Sequence, residues 1–356
     1  MRNILTAPLS WLYAAGVALR HAMFNIGLYK VEEFDIPIVV VGNITVGGTG
    51  KTPFTEYLVE QLSTDYHVAV LSRGYMRKTK GFVLASETSS FKNVGDEPKQ
   101  IKLKFPSIPV AVCEKRVVGI KKLRELHPEV NLIILDDAFQ HRHVEGWVNI
   151  VLMDYNCPVW EDNMLPLGRL RDNLDSLARA NIFVITKCPD RLSPLDCRMV
   201  YKNLDPFPYQ SLFFTHFDSA PARALFPDLA LTPTLKRGQT VVAMTGIANP
   251  TGFLAHVDKN FSLIHKLIFA DHYIFKMRDI YNLENLLQSC PSETAVVVTE
   301  KDAVKLMSSR KISDAVKQKL YYISVNVVFN DRNVDFNRII DQYVRENQKY
   351  NITHPE

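Results

Sequence analysis

A glycine-rich loop between an apolar run and a helical pattern limits the possible folds more than any other part of this sequence. The apolar run covers residues 38–41, and residues 47–52 read Gly-Gly-Thr-Gly-Lys-Thr. In such a loop the backbone N–H groups and the following helix N-terminus face phosphate oxygens, Lys51 reaches the β- and γ-phosphates, and the Thr52 hydroxyl can ligate magnesium. The pattern predicts a strand, a phosphate loop and a helix that bind a nucleoside triphosphate.

The loop departs from the strict phosphate-loop pattern at its first position, where Thr45 replaces the usual glycine. Gly47 and Gly48 supply conformational freedom inside the loop instead. The predicted nucleotide-binding residues are Thr45, Val46, Gly47, Gly48, Thr49, Gly50, Lys51 and Thr52.

A second apolar run ends in two carboxylates and resembles a Walker B strand. Residues 131–135 lead directly into Asp136 and Asp137. A carboxylate at the C-terminal edge of such a strand can hold magnesium directly or through water. We therefore predict that Thr52, Asp136 and Asp137 hold the metal; the alternative is that the two aspartates only cap the next turn.

The rest of the chain alternates short apolar runs with longer amphipathic ones. This pattern is typical of an α/β fold in which helices cover both faces of a mostly parallel sheet. Prolines between residues 206 and 233 interrupt the alternation, and a second alternating set follows them. We predict an N-terminal amphipathic helix (1–34), a P-loop domain (35–215) and a smaller C-terminal α/β domain (216–356). Predicted strands are 38–41, 68–72, 110–113, 132–135, 148–153, 182–186, 240–244, 262–269, 295–299 and 321–328.

Composition and charge exclude several classes of protein. Apolar residues make up 47% of the 356 residues, which rules out a disordered chain, and the formal net charge is only +4. Such a weak excess argues against bulk nucleic-acid binding, so no nucleic-acid partner is predicted. Five cysteines without a C-x-x-C pair fit a reducing compartment, with neither a disulfide framework nor a zinc site.

The amino terminus is basic and apolar. Residues 1–31 contain no acidic side chain. An apolar stripe at helical spacing comprises Leu5, Leu9, Leu12, Gly16, Leu19, Met23 and Ile26. The longest uncharged run includes polar residues and falls short of the ~20 apolar residues that cross a bilayer. We predict an amphipathic helix at a membrane interface; packing of the stripe on its own domain is the alternative.

Phosphate loops serve several classes of protein, and accessory residues must discriminate among them. Partition ATPases place a lysine before the paired glycines, whereas this chain has Val46. The Thr186-Lys187 pair only partly matches a GTPase base reader, so GTP preference lacks support. A kinase needs a carboxylate for the acceptor hydroxyl and cations for the acceptor's charge. Asp96 and the basic run beginning at Arg73 are candidates; a helix-capping acid and a solvated loop are their alternatives.

Seven segments form an ordered set over nearly the whole chain: 41–53, 71–75, 95–98, 136–141, 165–171, 271–272 and 299–305. Together they resemble the tetraacyldisaccharide 4′-kinase family, the lipid A 4′-kinases of Gram-negative bacteria. The resemblance implies ATP- and Mg²⁺-dependent transfer of the γ-phosphoryl group to the 4′-hydroxyl of a tetraacyldisaccharide 1-phosphate, the lipid A disaccharide precursor, giving lipid IVA. It also implies a peripheral protein on the cytoplasmic leaflet of the bacterial inner membrane.

The resemblance further implies roles for individual residues. Asp96 is similar to the family's general base and His272 to the histidine paired with it, while Lys51 and Arg116 are similar to active-site cations. Candidate acceptor-binding residues are Arg73, Tyr75, Arg171 and Asp172. Asp172 replaces the usual glutamate, so its carboxylate is one methylene shorter. A membrane-associated P-loop ATPase with a switching or partition role remains the alternative function.

Overall fold

The computed structural model describes residues 2–230, 232–308, 312–331 and 333–353. Its contacts divide the chain into two units. The first comprises Met1–Glu87, Ile101–Phe217 and Val327–Glu356, and the second comprises Thr88–Gln100 and Asp218–Asn326. The sequence placed one division near residue 215, whereas the contacts also assign Thr88–Gln100 to the second unit and Val327–Glu356 to the first.

The strands of the described residues form two sheets. They are β1 (Ile38–Gly42), β2 (Val68–Ser72), β3 (Val83–Leu84), β4 (Val110–Val112), β5 (Leu132–Asp136), β6 (Val148–Asp154), β7 (Ile182–Thr186), β8 (Ser211–Ser219), β9 (Arg223–Ala224), β10 (Thr240–Thr245), β11 (Ser262–Ile268), β12 (Ala295–Thr299), β13 (Leu320–Ile323) and β14 (Val325–Phe329).

The helices of the described residues are α1 (Arg2–Asn25), α2 (Lys51–Leu62), α3 (Phe91–Val94), α4 (Asp96–Lys104), α5 (Arg116–Leu126), α6 (Pro194–Leu204), α7 (Thr251–Asn260), α8 (Met277–Gln288), α9 (Glu300–Met307), α10 (Asp314–Lys317) and α11 (Asn333–Thr353). Two short 3₁₀ helices cover Val159–Glu161 and Leu174–Arg179.

The nine-stranded sheet of the first unit has the order β14-β8-β7-β6-β1-β5-β2-β4-β3. Parallel pairs run from β1 through β5 and β2 to β4 on one side, and from β1 through β6 and β7 to β8 on the other. At the end of this series, the short β3 is antiparallel to β4. The prediction of a mostly parallel α/β sheet is confirmed. Because the chain order reverses at β1, ligands of such folds bind beside its carboxyl end.

The central strands of this sheet are buried on both faces. Every residue of β1, β2, β5 and β7 is buried. Parallel strands covered by helices on each side have near-continuous Val, Ile and Leu instead of alternating polar residues. These runs were therefore recognisable in the sequence, and they provide a rigid platform for the loops at their carboxyl ends.

The five-stranded sheet of the second unit has the order β11-β10-β12-β13-β9. Its strands pair in parallel except for β9, which is antiparallel to β13. Ile280, Leu283 and Leu287 of α8 are buried at helical spacing and join the core below β10 and β12. The second unit therefore has a hydrophobic core of its own.

Two features of the strand pattern were not predicted correctly. The run 321–328 was predicted as one strand, but β13 belongs to the five-stranded sheet and β14 to the nine-stranded one. Burial is nearly continuous along β13 and alternates along β14, and an apolar run does not mark such a change. The nine-residue β8 lies within the proline-rich stretch where only a boundary was predicted.

Helix α1 forms over Arg2–Asn25, within the segment predicted to be helical. Ser10, His21 and Phe24 are buried, and the Ser10 hydroxyl donates a hydrogen bond to the Met164 carbonyl (2.7 Å). The exposed apolar side chains of this region include Leu9, Trp11, Leu12, Leu19 and Ile26. No helix in the described ranges is long and apolar enough to cross a membrane. The membrane-interface role of α1 stays a prediction.

Candidate active site

The phosphate loop joins the end of β1 to the start of α2. Gly50 precedes the helix with φ +85°, in the left-handed region, and a Cβ atom there would lie 2.3 Å from the Phe217 ring. Only glycine fits this position. No side chain caps the α2 N-terminus, so the first N–H groups of the helix remain available for an anion.

A buried asparagine, which the sequence analysis did not single out, links the two ends of the loop. The Asn43 side-chain amide donates to Thr49 Oγ1 (2.9 Å) and Thr45 Oγ1 (3.4 Å). Its Oδ1 accepts from Lys51 Nζ (3.4 Å) and from the Arg171 guanidinium. Asn43 thus fixes two loop hydroxyls and holds two cations beside them. Its position directly after β1 is the sequence signal that could have identified it.

Asp137 holds both of these cations at the loop. Lys51 Nζ lies 3.6 Å from Asp137 Oδ1, and the Arg171 guanidinium contacts both carboxylate oxygens. Burial acts to raise the pKa of Asp137, but the charges of Lys51 and Arg171 outweigh it and hold the pKa far below its usual range. The carboxylate is therefore ionised at neutral pH, and it keeps two cations at the mouth of the phosphate loop.

Asp136 is fully buried at the end of β5, and hydroxyl groups contact its carboxylate. Its carboxylate accepts hydrogen bonds from Thr55 Oγ1 (3.3 Å) and Ser72 Oγ (3.1 Å). In the described part of the chain, no group of three or more His, Cys, Asp or Glu side chains could hold a metal. Mg²⁺ is usually held by one or two carboxylates together with phosphate oxygens and water. The hydroxyl of Thr52 and the carboxylates of Asp136 and Asp137 fit such a partial ligand set.

Arg116 lies under this pair of aspartates at the start of α5. Its side chain is 2% exposed, and its guanidinium donates to the carbonyls of Cys113 (2.9 Å) and Asp136 (3.3 Å). Burial lowers the pKa of Arg116 to about 10, against the opposing effect of Asp136 and Asp137. Arg116 is therefore still a cation at neutral pH, and its Nε is buried without a hydrogen-bond partner.

The end of β7 supports the loop from its other side. Thr186 Oγ1 donates to the Thr49 carbonyl (2.8 Å). Lys187 Nζ donates to the Gly48 carbonyl and to Asp154 Oδ2 (2.6 Å). The Thr-Lys pair that the sequence analysis weighed as a base reader thus contacts the backbone of the phosphate loop.

The remaining predicted acceptor-binding residues are in different environments. Arg73 and Tyr75 are exposed on the turn that follows β2. Asp172 is buried, and its carboxylate pairs with His21 Nε2 (2.6 Å) and Arg179 Nη2 (3.4 Å). The structure therefore brings Arg171 to the phosphate loop, whereas the carboxylate of Asp172 is engaged by α1 and Arg179.

The second unit contains a separate carboxylate–imidazole pair. Asp96 is the first residue of α4 and is 6% exposed, and its Oδ2 lies 2.9 Å from His272 Nδ1. Burial acts to raise the pKa of Asp96, but the hydrogen bond with His272 and the charge of Lys301 outweigh it and lower the pKa. Asp96 is therefore a buried, ionised carboxylate held by an imidazole 176 residues away in the sequence.

Lys301 is a third member of this cluster, and the sequence analysis gave it no role. Its Nζ lies 3.1 Å from His272 Nε2 and 3.2 Å from Glu97 Oε1. Lys301 follows β12 as the second residue of α9, within the segment 299–305 that contributed to the family resemblance. Its chemical contact with His272 depends on the fold and was not visible in the sequence.

Comparisons with known proteins give matches over nearly the whole chain. The family model described as tetraacyldisaccharide-1-P 4′-kinase matches residues 2–345. The tetraacyldisaccharide 4′-kinase of Phocaeicola vulgatus is 42% identical over 348 residues, covering 96% of this chain and 95% of that protein. The enzyme of the same name from Porphyromonas gingivalis is 41% identical over 342 residues, covering 94% and 95%.

A solved structure agrees with the fold over the same extent. The crystal structure of LpxK from Aquifex aeolicus in complex with ATP is similar with a TM-score of 0.73 and 25% identity. The similarity covers 97% of this chain and 100% of that one. With the phosphate loop, the paired aspartates and these matches, the chain belongs to the tetraacyldisaccharide-1-P 4′-kinase family.

Proposed function

We propose that this chain transfers the γ-phosphoryl group of ATP to the 4′-hydroxyl of a tetraacyldisaccharide 1-phosphate and so forms lipid IVA. The buried pair of Asp96 and His272 carries this proposal most directly. A carboxylate positioned by an imidazole is suited to accept the proton of an alcohol, and the curated relatives bear the name of a kinase that acts on this acceptor.

The first unit binds the nucleotide in this proposal. The α2 N-terminus and the loop amides hold the phosphate oxygens, and Lys51 exchanges part of its contact with Asp137 for the β- and γ-phosphates. Arg116 supplies positive charge below the two aspartates. Thr52, Asp136 and Asp137 would hold Mg²⁺, which when bound neutralises charge on the phosphates.

The second unit supplies the acid–base residues. The Asp96 carboxylate accepts the proton of the 4′-hydroxyl, and the hydroxyl oxygen forms the new bond to the γ-phosphorus. The bond between that phosphorus and the bridging oxygen breaks, and its electron pair stays on ADP. His272 orients the Asp96 carboxylate through their hydrogen bond. Arg73, Tyr75 and Arg171 are the proposed acceptor-facing residues of the first unit.

The acceptor is a lipid, and α1 offers a surface suited to a bilayer. Trp11 and Leu12 are 79% and 72% exposed, whereas the buried side of the helix is fixed by polar contacts such as that of His21 with Asp172. Exposed Trp and Leu side chains beside basic residues are typical of interfacial helices. We propose that α1 binds the cytoplasmic leaflet of the inner membrane, with its apolar side chains entering the headgroup region.

The direct test uses γ-labelled ATP with the acceptor in mixed detergent micelles. The matched control acceptor carries hydrogen in place of the 4′-hydroxyl. We expect labelled lipid from the first acceptor and none from the control. Hydrolysis of ATP without labelled lipid, in micelles that contain the intact acceptor, would contradict the proposal and favour a P-loop ATPase with a switching or partition role.

A further inference from the structure

We propose that Lys301 is a positioning residue that fixes the tautomer of His272 and through it the orientation and charge of Asp96. This inference rests on the proposed function, because it concerns the carboxylate that accepts the hydroxyl proton. Lys301 lies on α9 and has no part in the reaction steps described above.

The three side chains form a chain of contacts within the second unit. Asp96 Oδ2 lies 2.9 Å from His272 Nδ1, and the other ring nitrogen, Nε2, lies 3.1 Å from Lys301 Nζ. Lys301 is also anchored by Glu97 Oε1 at 3.2 Å. The imidazole is therefore enclosed between a carboxylate on one edge and an ammonium on the other.

The chemistry of the two neighbours decides where the ring carries its proton, since an ionised carboxylate only accepts and an ammonium only donates. An ammonium has three donors and no acceptor, so His272 Nε2 must accept from Lys301. Nδ1 then carries the ring hydrogen and donates it to Asp96. The contact with Lys301 thus excludes a proton from Nε2 and fixes the neutral tautomer in which the imidazole is a hydrogen-bond donor to the reacting carboxylate.

The surrounding charges keep Lys301 protonated. Burial acts to lower the pKa of Lys301, but Glu97, Asp96 and Asp271 outweigh it and raise the pKa above its usual value. The ionisable groups that face the Asp96–His272 pair are Glu97 on α4, Asp271 next to His272, and Lys301 and Lys305 on α9. Lys305 is 2.9 Å from Asp302, whereas Lys301 contacts the imidazole directly.

The backbone holds the imidazole in this place. His272 has φ +55°, a left-handed conformation that is uncommon for a residue other than glycine. Its N–H donates to Asp271 Oδ1 (3.0 Å). Strained residues of this kind persist where the surrounding contacts over-determine them, and they cluster at functional sites. The ring is thereby presented to Asp96 and Lys301 together.

Two consequences for the reaction follow from this arrangement. Because Nε2 is engaged by a cation, the imidazole does not take over the proton that Asp96 receives; the proton leaves Asp96 to water or product. Because Lys301 contributes to the lowered pKa of Asp96, the carboxylate stays ionised further into the acidic range. Loss of Lys301 should therefore raise the pKa of Asp96 and move the acidic limb of the kcat–pH profile to higher pH.

The first experiment measures the tautomer without altering the cluster. The full chain is labelled with ¹⁵N in the histidine rings, and a His272→Gln spectrum identifies the His272 signals. We expect a protonated Nδ1 and an unprotonated Nε2 at pH 7. Protonation at Nε2 would overturn the inference, whether or not the protein transfers phosphate to the lipid.

The second experiment compares Lys301→Met with the charge-conserving Lys301→Arg. We expect the acidic limb of kcat to move up by about one pH unit in Lys301→Met, the lower end of the effect of a nearby charge, and to stay within a few tenths in Lys301→Arg. Lys259→Met, at an exposed lysine of α7, is the control. ATP affinity and circular dichroism confirm that each variant is folded.

The outcomes separate the two proposals. A wild-type protein that labels no lipid contradicts the proposed function, while the tautomer measurement still tests Lys301. A wild-type protein that labels lipid, with a Lys301→Met variant whose acidic limb and His272 tautomer are unchanged, contradicts the role of Lys301 alone. If Lys301→Met does not fold, the tautomer of the wild-type protein and the profile of Lys301→Arg decide.

Discussion

The protein has two charged clusters, one around the phosphate loop with Lys51 and Asp137 and one around Asp96 and His272. They differ in how far apart in the sequence their members lie. In the first unit, the phosphate loop contributes Lys51 and Thr52 from one continuous segment, and Asp137 follows a neighbouring strand. In the second unit, Asp96 and His272 are contributed by segments far apart in the sequence. A phosphate can be held by a local loop and a helix N-terminus, whereas a positioned base needs a partner on another element.

The clusters also differ in what their carboxylates do. Asp137 binds two cations, Lys51 and Arg171, so its charge is balanced beside the place of an anionic ligand. Asp96 Oδ2 instead contacts the His272 ring at 2.9 Å and lies 4.0 Å from Lys301 Nζ. In the proposed function the first cluster acts on the binding of ATP and the second on the transfer step, and the variants of Lys51, Thr186 and Asp96 test that separation.

Lys51→Ala should have the largest effect, because it removes the cation that reaches the β- and γ-phosphates. We expect kcat/KM for ATP to fall on the order of 10³-fold, comparable to the loss of a key transition-state donor. Labelled-lipid formation measures the loss of catalysis, and fluorescent-nucleotide binding measures the loss of ATP affinity. Lys202→Ala, at an exposed lysine of α6, should leave lipid labelling and nucleotide binding unchanged. Equal losses in the two variants would contradict the role of Lys51 as the phosphate-binding cation.

Replacement of Trp11 and Leu12 by serine should affect membrane binding without touching either cluster. Burial of two such side chains is worth about 3 kcal/mol or more, so vesicle partitioning should fall about 10²-fold. Point variants are better than truncation here, because removal of His21 would leave Asp172 without its ring contact.

The matched control replaces Leu126 and Leu195, which are 55% and 65% exposed on other helices of the same unit, by serine. Sedimentation with anionic vesicles measures the partitioning of both proteins. A similar loss in the control, or none in the α1 variant, would show that α1 is not the membrane surface. ATP affinity should be unchanged in both.

Thr186→Val should have the smallest effect, because it only removes support from the phosphate loop. The Thr186 hydroxyl donates to the Thr49 carbonyl (2.8 Å), and the loss of one such bond costs about 1 kcal/mol. ATP affinity should fall about fivefold. Thr215→Val removes a similar buried hydrogen bond, to the Ile185 carbonyl (3.2 Å), away from the loop. Calorimetry that found weaker ATP binding in Thr215→Val as well would contradict this role.

The sequence predicted the first cluster better than the second, and the reason is physical. Continuous apolar runs identified strands such as Val68–Ser72 and Ile182–Thr186 at their observed bounds, since parallel strands buried on both faces need such runs. The glycine-rich loop then identified Lys51 and Thr52. Asn43 was given no role, and Thr186 was weighed only as part of a base reader, because a polar residue after a strand has many ordinary roles and only three-dimensional contacts distinguish them.

In the second unit the family resemblance named Asp96 and His272, but no spacing rule could have joined them. Their contact depends on the ends of α4 and β11 meeting in the folded unit, and the contact of Lys301 with the same ring depends on α9 as well. The break between β13 and β14 was missed for a related reason, because the apolar run does not record which sheet each half joins.

Asp96→Asn tests the central claim most directly, because it removes the proton acceptor and keeps the shape of the side chain. Transfer to the lipid under single-turnover conditions and ATP affinity are measured on the same preparation. We predict that the transfer rate falls on the order of 10²-fold to 10³-fold, within the roughly 10²- to 10⁴-fold contribution usual for general acid–base catalysis, while ATP affinity stays within twofold. Transfer at the wild-type rate, or a loss confined to ATP affinity, would contradict the account.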